Sequence, residues 1–202
     1  MLLAVLCVTI MSVQAKLVGI EYHAAQITFV RAIVVLIFLF PLIYKLGGLN
    51  FLKTNKPVLH FFRGLAGLTG NIMFFLAFQR LPVADVTVIS QAVPIFASIL
   101  AIIFLKEIIG WRRWLAIIVG FLGVIIAINP TGQIAVASIY ALGGTIMWSV
   151  TIIFLRLLGS TEHPVKTVFY FMLVSFIITF FFQPFLWKQP TLEVIFLFVG
   201  IG

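Results

Sequence analysis

The stretch AAQITFVRAIVVLIFLFPLIY, residues 24–44, decides how the rest of the chain is read. It runs for 21 residues with one charge, Arg31, and its apolar positions are continuous. A run of about 20 apolar residues has the length of an α-helix that crosses the hydrocarbon core of a bilayer. A membrane β-strand would be shorter and would alternate apolar with polar residues, so a barrel is excluded.

Working outward, six further segments repeat the pattern: 2–18, 59–79, 82–105, 111–128, 134–157 and 165–187. An eighth opens near Leu192. The connectors carry helix stops and turn residues, as in Gly47-Gly48-Leu49-Asn50, Asn129-Pro130-Thr131-Gly132 and Gly159-Ser160-Thr161-Glu162-His163-Pro164. The whole composition agrees, with 63% hydrophobic and 9% charged residues in 202. A soluble domain carries roughly 25% charged residues; here the charges are too few to cover a water-facing globule. The fold expected is an all-α, polytopic transmembrane helix bundle whose first partner is the lipid bilayer.

Several classes drop out. The net charge of +8 is spread singly between apolar runs, whereas nucleic-acid binding needs a basic face, so no nucleic-acid partner is expected. One cysteine, Cys7, excludes an internal disulfide and a multi-cysteine metal site, and it reads as a small packing residue. Residues 1–15 lack the basic lead-in and small-residue cleavage pattern of a signal peptide. There is no Gly-Lys-Ser/Thr phosphate loop, no His-Glu-X-X-His and no Gly-X-Ser-X-Gly. His23, His60 and His163 lie far apart in sequence, so no metal site is expected. The acids Glu21, Asp85, Glu107, Glu162 and Glu193 are too scattered for a lipid-modifying enzyme, and the chain is read as no enzyme.

Alternate loops sort the cations. Lys45, Lys53, Lys56, Arg63, Lys106, Arg112, Arg113, Arg156 and Lys166 fall on one side, and Lys16, Arg80 and Lys188 on the other. The richer side is expected in the cytoplasm, which puts the N-terminus there too. Trp111, Trp114 and Trp187 lie at helix ends, where indole rings favour the headgroup region. Gly64, Gly67, Gly70, Gly120, Gly123, Gly143 and Gly144 read as close-packing positions between helices.

A shift of 140 positions aligns Lys16-Leu17-Val18-Gly19 with Arg156-Leu157-Leu158-Gly159, His23 with His163 and Phe29 with Phe169. Five helices separate the copies, and an odd number reverses direction, so a second copy is inverted. Inverted repeats are a common build of secondary transporters, with the substrate site between the halves near the midplane.

From Leu65 to Pro130 the chain also carries a set of ordered motifs. They are Asn71-Ile72-Met73-Phe74-Phe75-Leu76-Ala77-Phe78, Leu81-Pro82-Val83-Ala84-Asp85-Val86-Thr87-Val88-Ile89, Pro94-Ile95-Phe96, Leu105-Lys106-Glu107 and Gly120-Phe121-Leu122-Gly123-Val124, with Arg31-Ala32 upstream. In order and spacing these resemble the EamA domain of the drug/metabolite transporter superfamily. Within it, the segment from His60-Phe61-Phe62-Arg63-Gly64 to Asn129-Pro130 is most similar to the branch that takes up S-adenosylmethionine and related metabolites. The resemblance implies ten helices in two inverted five-helix repeats, a central polar cavity and transport with no bound cofactor. Residues 1–130 would form the first repeat and 134–202 the start of the second. About seven and a half of the ten helices are then present, so the chain is expected to be a piece that does not transport alone. The family also suggests a bacterial inner membrane.

Candidate site residues are the polar groups at mid-membrane depth, since each is costly there. Arg31 lies about seven residues into its helix, roughly 10 Å along the axis. Two readings stand for it: bidentate pairing with an anionic substrate, or snorkelling to the interface. Thr87, Gln91, Pro94 and Ser98, spaced four, three and four, share one side of an α-helix and read as cavity lining or as hydrogen bonds to a neighbouring helix. Pro94 frees a carbonyl near position 90 and serves as a hinge. Thr9, Ser12 and Lys16 share a face of the first helix, and Asn71 offers donor and acceptor. Trp148 reads either as packing or as a stacking surface for a planar or cationic group. Asp85, near Arg80, reads first as half of a surface ion pair and otherwise as the best acid for coupling, and Glu107, among Lys106, Arg112 and Arg113, reads as a gate or a loop ion pair.

The function expected is secondary transport, uptake or efflux, of a small polar organic metabolite by alternating access. A structural or assembly subunit is the alternative, and a lipid-modifying membrane enzyme a more distant one. The sequence leaves the oligomer open, a homodimer being compatible.

Overall fold

The computed structural model describes residues 2–19, 21–107, 110–128 and 133–190, and beyond them Val194, Leu197 and Gly200. The expected turn at 129–132 and most of the expected eighth segment lie outside the described residues, as do the side chains of Cys7 and Arg113. The described residues are helical with no strand. In chain order the elements are α1 (Leu2–Gly19), α2 (Ala24–Lys45), a 3₁₀ turn (Gly48–Leu52), α3 (Pro57–Arg80), α4 (Val83–Ser90), α5 (Val93–Leu105), α6 (Trp111–Ile128), α7 (Gln133–Gly159), α8 (Pro164–Phe180) and α9 (Gln183–Leu186). The protein is an all-α, polytopic membrane helix bundle.

Among the described residues four stretches are long and apolar enough to cross a bilayer: Ala24–Lys45, Pro57–Arg80, Val83–Leu105 and Ala137–Gly159. Two expected spans are interrupted, and proline is the reason at both. The segment expected over 82–105 breaks at Gln91 and Ala92, between α4 and α5. Pro94 has no N–H to donate to the Ser90 carbonyl, and its ring crowds that position. The segment expected over 165–187 likewise ends at Phe180, four residues before Pro184, and resumes as the single turn α9.

The apolar surface points both ways. Ile37, Phe38 and Phe40 of α2, and Val119 and Ile126 of α6, are exposed. So many large apolar side chains facing outward fit a lipid surrounding better than water. Inside, α3 is the hub. It packs antiparallel to α7 and parallel to α8 through a face of small residues. A Cβ added at Gly64 would lie 2.8 Å from Val174 of α8, and one at Gly67 would lie 2.7 Å from the Phe171 ring. These positions therefore act as packing sites, where close approach supplies the van der Waals contact that drives helix association in lipid.

Two turns repeat each other at the 140-residue shift. Tyr22 N–H donates to Val18 O, and Glu162 N–H to Leu158 O; Gln26 and Ile27 donate to His23 O, and Lys166 and Thr167 to His163 O. His23 caps α2 through Nδ1, which accepts from Ala25 N–H at 3.2 Å. His163 caps α8 in the same way, from Val165 N–H at 3.2 Å. A ring nitrogen here takes the role that Ser or Asp usually plays at a helix start.

Because α2 and α8 run antiparallel, the two turns sit at opposite ends of the pair, and each grips the chain leaving the other helix. At one end the Gln26 side-chain amide donates to Lys188 O (2.6 Å) and accepts from Lys188 N–H (3.2 Å), while Tyr22 reaches Gln189 O. At the other end Glu162 accepts from Thr54 Oγ1 and pairs with Lys166 at 2.7 Å. Lys166 also donates to Lys53 O, and Tyr170 to Leu52 O. Glu162 lies between the helices. Burial raises its pKa, but the bonds from Lys166 and Thr54 outweigh that, and the carboxyl is held below its ordinary range.

Candidate functional site

The interior cavity that the candidate residues share lies where α1, α3, α4 and α7 meet, and its volume is about 180 Å³. From α1 come Met11 and Ser12, and from α3 come Asn71, Phe74, Phe75 and Phe78. Thr87 and Ser90 of α4 and Trp148 of α7 complete it. None of the lining residues is charged. The walls are aromatic, and the polar groups converge from three helices.

Those polar groups are differently occupied. Thr87 donates to Val83 O and Ser90 to Thr87 O, so each hydroxyl keeps only acceptor capacity toward the cavity. No hydrogen bond engages the Asn71 amide among the described residues. It presents two donors and an acceptor. Trp148 is fixed by packing against α3, its ring meeting the space left at Gly70.

The break in the fourth span adds a polar edge. Without an N–H at Pro94 the Ser90 carbonyl has no intrahelical donor. On either side of the break, α7 supplies buried hydroxyls four residues apart. Thr145 Oγ1 lies 3.5 Å from Ile89 O, and Ser149 Oγ lies 3.0 Å from Val93 O. Each is also within reach of a carbonyl of its own helix, Ala141 O at 2.8 Å and Thr145 O at 2.7 Å. A hydroxyl has one proton. It can therefore serve either acceptor, and the broken helix can shift without leaving that proton unpaired.

The structure thus gathers Ser12, Asn71, Thr87 and Trp148 from the sequence-derived set, and it adds Ser90 and the phenylalanines. Gln91 is exposed at the C-terminus of α4, in the break itself. Ser98 donates to Pro94 O within α5. Both lie outside the cavity, because a four-three-four stripe stays on one side only while the helix is continuous. Arg31 also lies outside it. Its residue is half-buried on α2, and Nε is buried with no hydrogen-bond partner among the described residues.

The acids differ from expectation in their partners. Arg80 stacks over the Tyr140 ring at 5.2 Å and forms no ion pair with Asp85, which is exposed. Glu107 pairs with Arg156 at 3.5 Å, across a part-exposed contact between the α5–α6 connection and the end of α7. Lys16 donates to Leu81 O at 3.0 Å, tying α1 to the carbonyl end of α3.

A lipid-facing helix bundle with an uncharged aromatic chamber beside a broken span belongs among the polytopic membrane proteins. More particularly, the model of the EamA-like transporter family matches residues 1–129, and the chain belongs to that family. It is 31% identical over 189 residues to the S-adenosylmethionine uptake transporter of Rickettsia bellii, covering 93% of this chain and 65% of that protein. With the protein of the same name from Rickettsia felis the identity is 30%, over 93% and 64%. With the riboflavin transporter of Vibrio cholerae it is 24%, over 86% and 60%. The chain therefore spans just under two thirds of the length of these Rickettsia relatives. No solved structure matches it.

Proposed function

We propose that the protein is a secondary carrier for a small metabolite with a planar heteroaromatic or soft cationic group, S-adenosylmethionine being the leading candidate. The observation that carries this reading is the cavity of Asn71, Phe74, Phe75, Phe78 and Trp148 at the break between α4 and α5. Aromatic faces attract a cation through the ring quadrupole and stack on a planar ring. The free Asn71 amide has both kinds of hydrogen-bonding group for a ring edge. At about 180 Å³ the cavity is small beside the roughly 300–1,000 Å³ of sites for drug-sized ligands, so it takes part of the substrate. The names of the Rickettsia relatives support the choice of compound.

Alternating access is the mechanism proposed, with the α4–α5 break as the moving element and Pro94 as its hinge. Discontinuous helices line substrate sites in many secondary transporters, and the two-way hydroxyls of Thr145 and Ser149 lower the barrier to such a shift. The 140-residue recurrence of the turns supports reading residues 1–130 and 134–202 as inverted repeats. Arg31 is proposed to meet the substrate carboxylate, and Asp85 and Glu107 to act in coupling or gating. The excess of cations at one end supports a cytoplasmic N-terminus, in a bacterial inner membrane.

The test is uptake of radiolabelled S-adenosylmethionine into proteoliposomes holding the whole product of the gene. Saturable uptake above empty vesicles, competed by unlabelled compound, is expected. Uptake equal to empty vesicles for S-adenosylmethionine, adenosine and riboflavin alike would remove the reading.

A further inference from the structure

His60 stands apart from the cavity and from every contact used so far. It lies on the first turn of α3 with 1% of its surface exposed, and neither ring nitrogen has a hydrogen-bond partner among the described residues. A neutral imidazole carries one donor and one acceptor. Leaving either unmade in a buried place is unfavourable, and buried polar groups are satisfied in the large majority of cases. The tight packing around His60 therefore holds a strained polar group in a closed position.

Its surroundings decide what the group can do. The ring packs on Tyr170 of α8, with centroids 4.5 Å apart. The charges acting on it are Arg63 of its own helix, Lys166 of α8 and Glu162 of the α7–α8 turn. Arg63 is itself buried; it donates to Thr167 O at 2.9 Å and stacks over Phe171. A proton added to His60 in place would be opposed by burial and by the charges of Arg63 and Lys166, and Glu162, whose charge favours it, is already held by Lys166 and Thr54.

The segment after α2 reaches this group through Tyr170, which stacks on His60 and donates to Leu52 O. This cover is fastened to α8 and its entry turn by the Thr54–Glu162, Lys53–Lys166 and Leu52–Tyr170 hydrogen bonds, and by Phe51, which meets the His163 ring and the Lys166 ammonium. The cover leaves α2 through Gly47 and Gly48, both at positive φ (119° and 63°), a backbone that glycine adopts freely.

We infer that His60 is a proton-binding site, empty while the clasp between residues 52–54 and 162–170 is closed and filled when it opens, so that protonation holds that end of the bundle open. The ligand is a proton taken from bulk water. It forms an N–H bond on the imidazole and leaves an imidazolium that water solvates once the cover has moved. The inference rests on the carrier reading for its purpose, since it supplies a coupling ion, but it stands or falls on a measurement without substrate. The equivalent clasp at the other end is built on Gln26 and has no buried histidine, so proton sensitivity is confined to one end.

The experiment is hydrogen–deuterium exchange of amides 48–56 in the lipid-reconstituted protein at pH 7.5 and pH 5.5, corrected for intrinsic rates and with no substrate. An open form that binds one extra proton gains at most tenfold per pH unit below the ordinary imidazole value of about 6.5. About tenfold faster exchange at pH 5.5 is expected. His60→Phe keeps the stack on Tyr170 without a titrating group, and should exchange alike at both pH values. His60→Gln gives a second non-titrating variant should the phenylalanine not be accommodated. His163, whose ring meets Phe51 at 5.4 Å, is the other imidazole at this end. His163→Asn keeps an N-cap oxygen, and should retain the full acid response.

Exchange that is the same at both pH values in the unaltered protein overturns the inference. So does an acceleration that persists in either His60 variant, or one that His163→Asn abolishes. The carrier reading fails separately, by absent uptake with the exchange response intact. If instead uptake is present and the exchange is flat, His60 alone is removed.

Discussion

The turns at residues 18–27 and 158–167 share a backbone and differ in chemistry. Each ends one helix, caps the next with a histidine and reaches across the α2–α8 pair to hold the opposite loop. At positions 22 and 26 the reaching groups are a phenol and an amide; 140 residues later they are a carboxylate and an ammonium. One geometry is thus met once with neutral hydrogen bonds and once with a buried ion pair. Acid neutralises the buried carboxylate of the ionic clasp only below the ordinary carboxylate range, and the clasp built on Gln26 holds no buried carboxylate, its Glu21–Lys188 contact at 3.9 Å being exposed.

The comparison breaks most visibly at Glu162. Glu162→Ala leaves Lys166 with only 13% of its side chain exposed and without its carboxylate. A loss of about 2 kcal/mol is expected, below the 3–5 of deeply buried pairs because this pair lies at the end of the bundle. Thermal unfolding in detergent would measure it. Acid is a milder form of the same cut. Glu162 has its folded pKa below the ordinary value, so its contribution is complete above about pH 4.3 and is lost as pH falls through the folded value. A Tm profile from pH 7 to pH 3 should lose that lower limb in Glu162→Gln and keep it in Gln26→Leu.

At the other end, Gln26→Leu removes two hydrogen bonds to Lys188. Water can reach the exposed Lys188 backbone, so about 1 kcal/mol is expected, with no change in pH profile. The smallest effect falls on the caps. His23→Ala and His163→Ala should each lose about 0.5 kcal/mol, and by the same amount, since the two cap bonds have equal length. Unequal losses would mean that the shared backbone does not carry shared energetics.

Much of this was legible in the residues. The apolar runs marked the helices, and the 140-residue shift marked His23 and His163 as equivalents before their common capping role was visible. Loop composition separated the cations into two ends, and Lys53 and Lys166 do meet at one of them. What periodicity could not give was neighbours across helices. Arg63 reads as a loop cation, yet it is 6% exposed and bonded to α8. The stripe of Thr87, Gln91 and Ser98 depended on an unbroken helix, and the proline noticed within it is what scattered it. The spacing of four between Thr145 and Ser149, across from a proline-interrupted span, is the signal in the sequence for the hydroxyl pair. His60 gave no signal at all, since burial is a property of the packed bundle.

The central claim is that substrate meets the chamber under Trp148 and not the stripe along the fourth span. Its most direct test is S-adenosylmethionine uptake by four variants in one set of proteoliposomes. Asn71→Leu and Trp148→Leu should fall about tenfold or more, as the loss of a stacking face and a buried polar partner implies. Gln91→Ala and Ser98→Ala should stay within about twofold, since neither side chain lines the cavity. Full activity in the first pair, with loss in the second, would contradict the account.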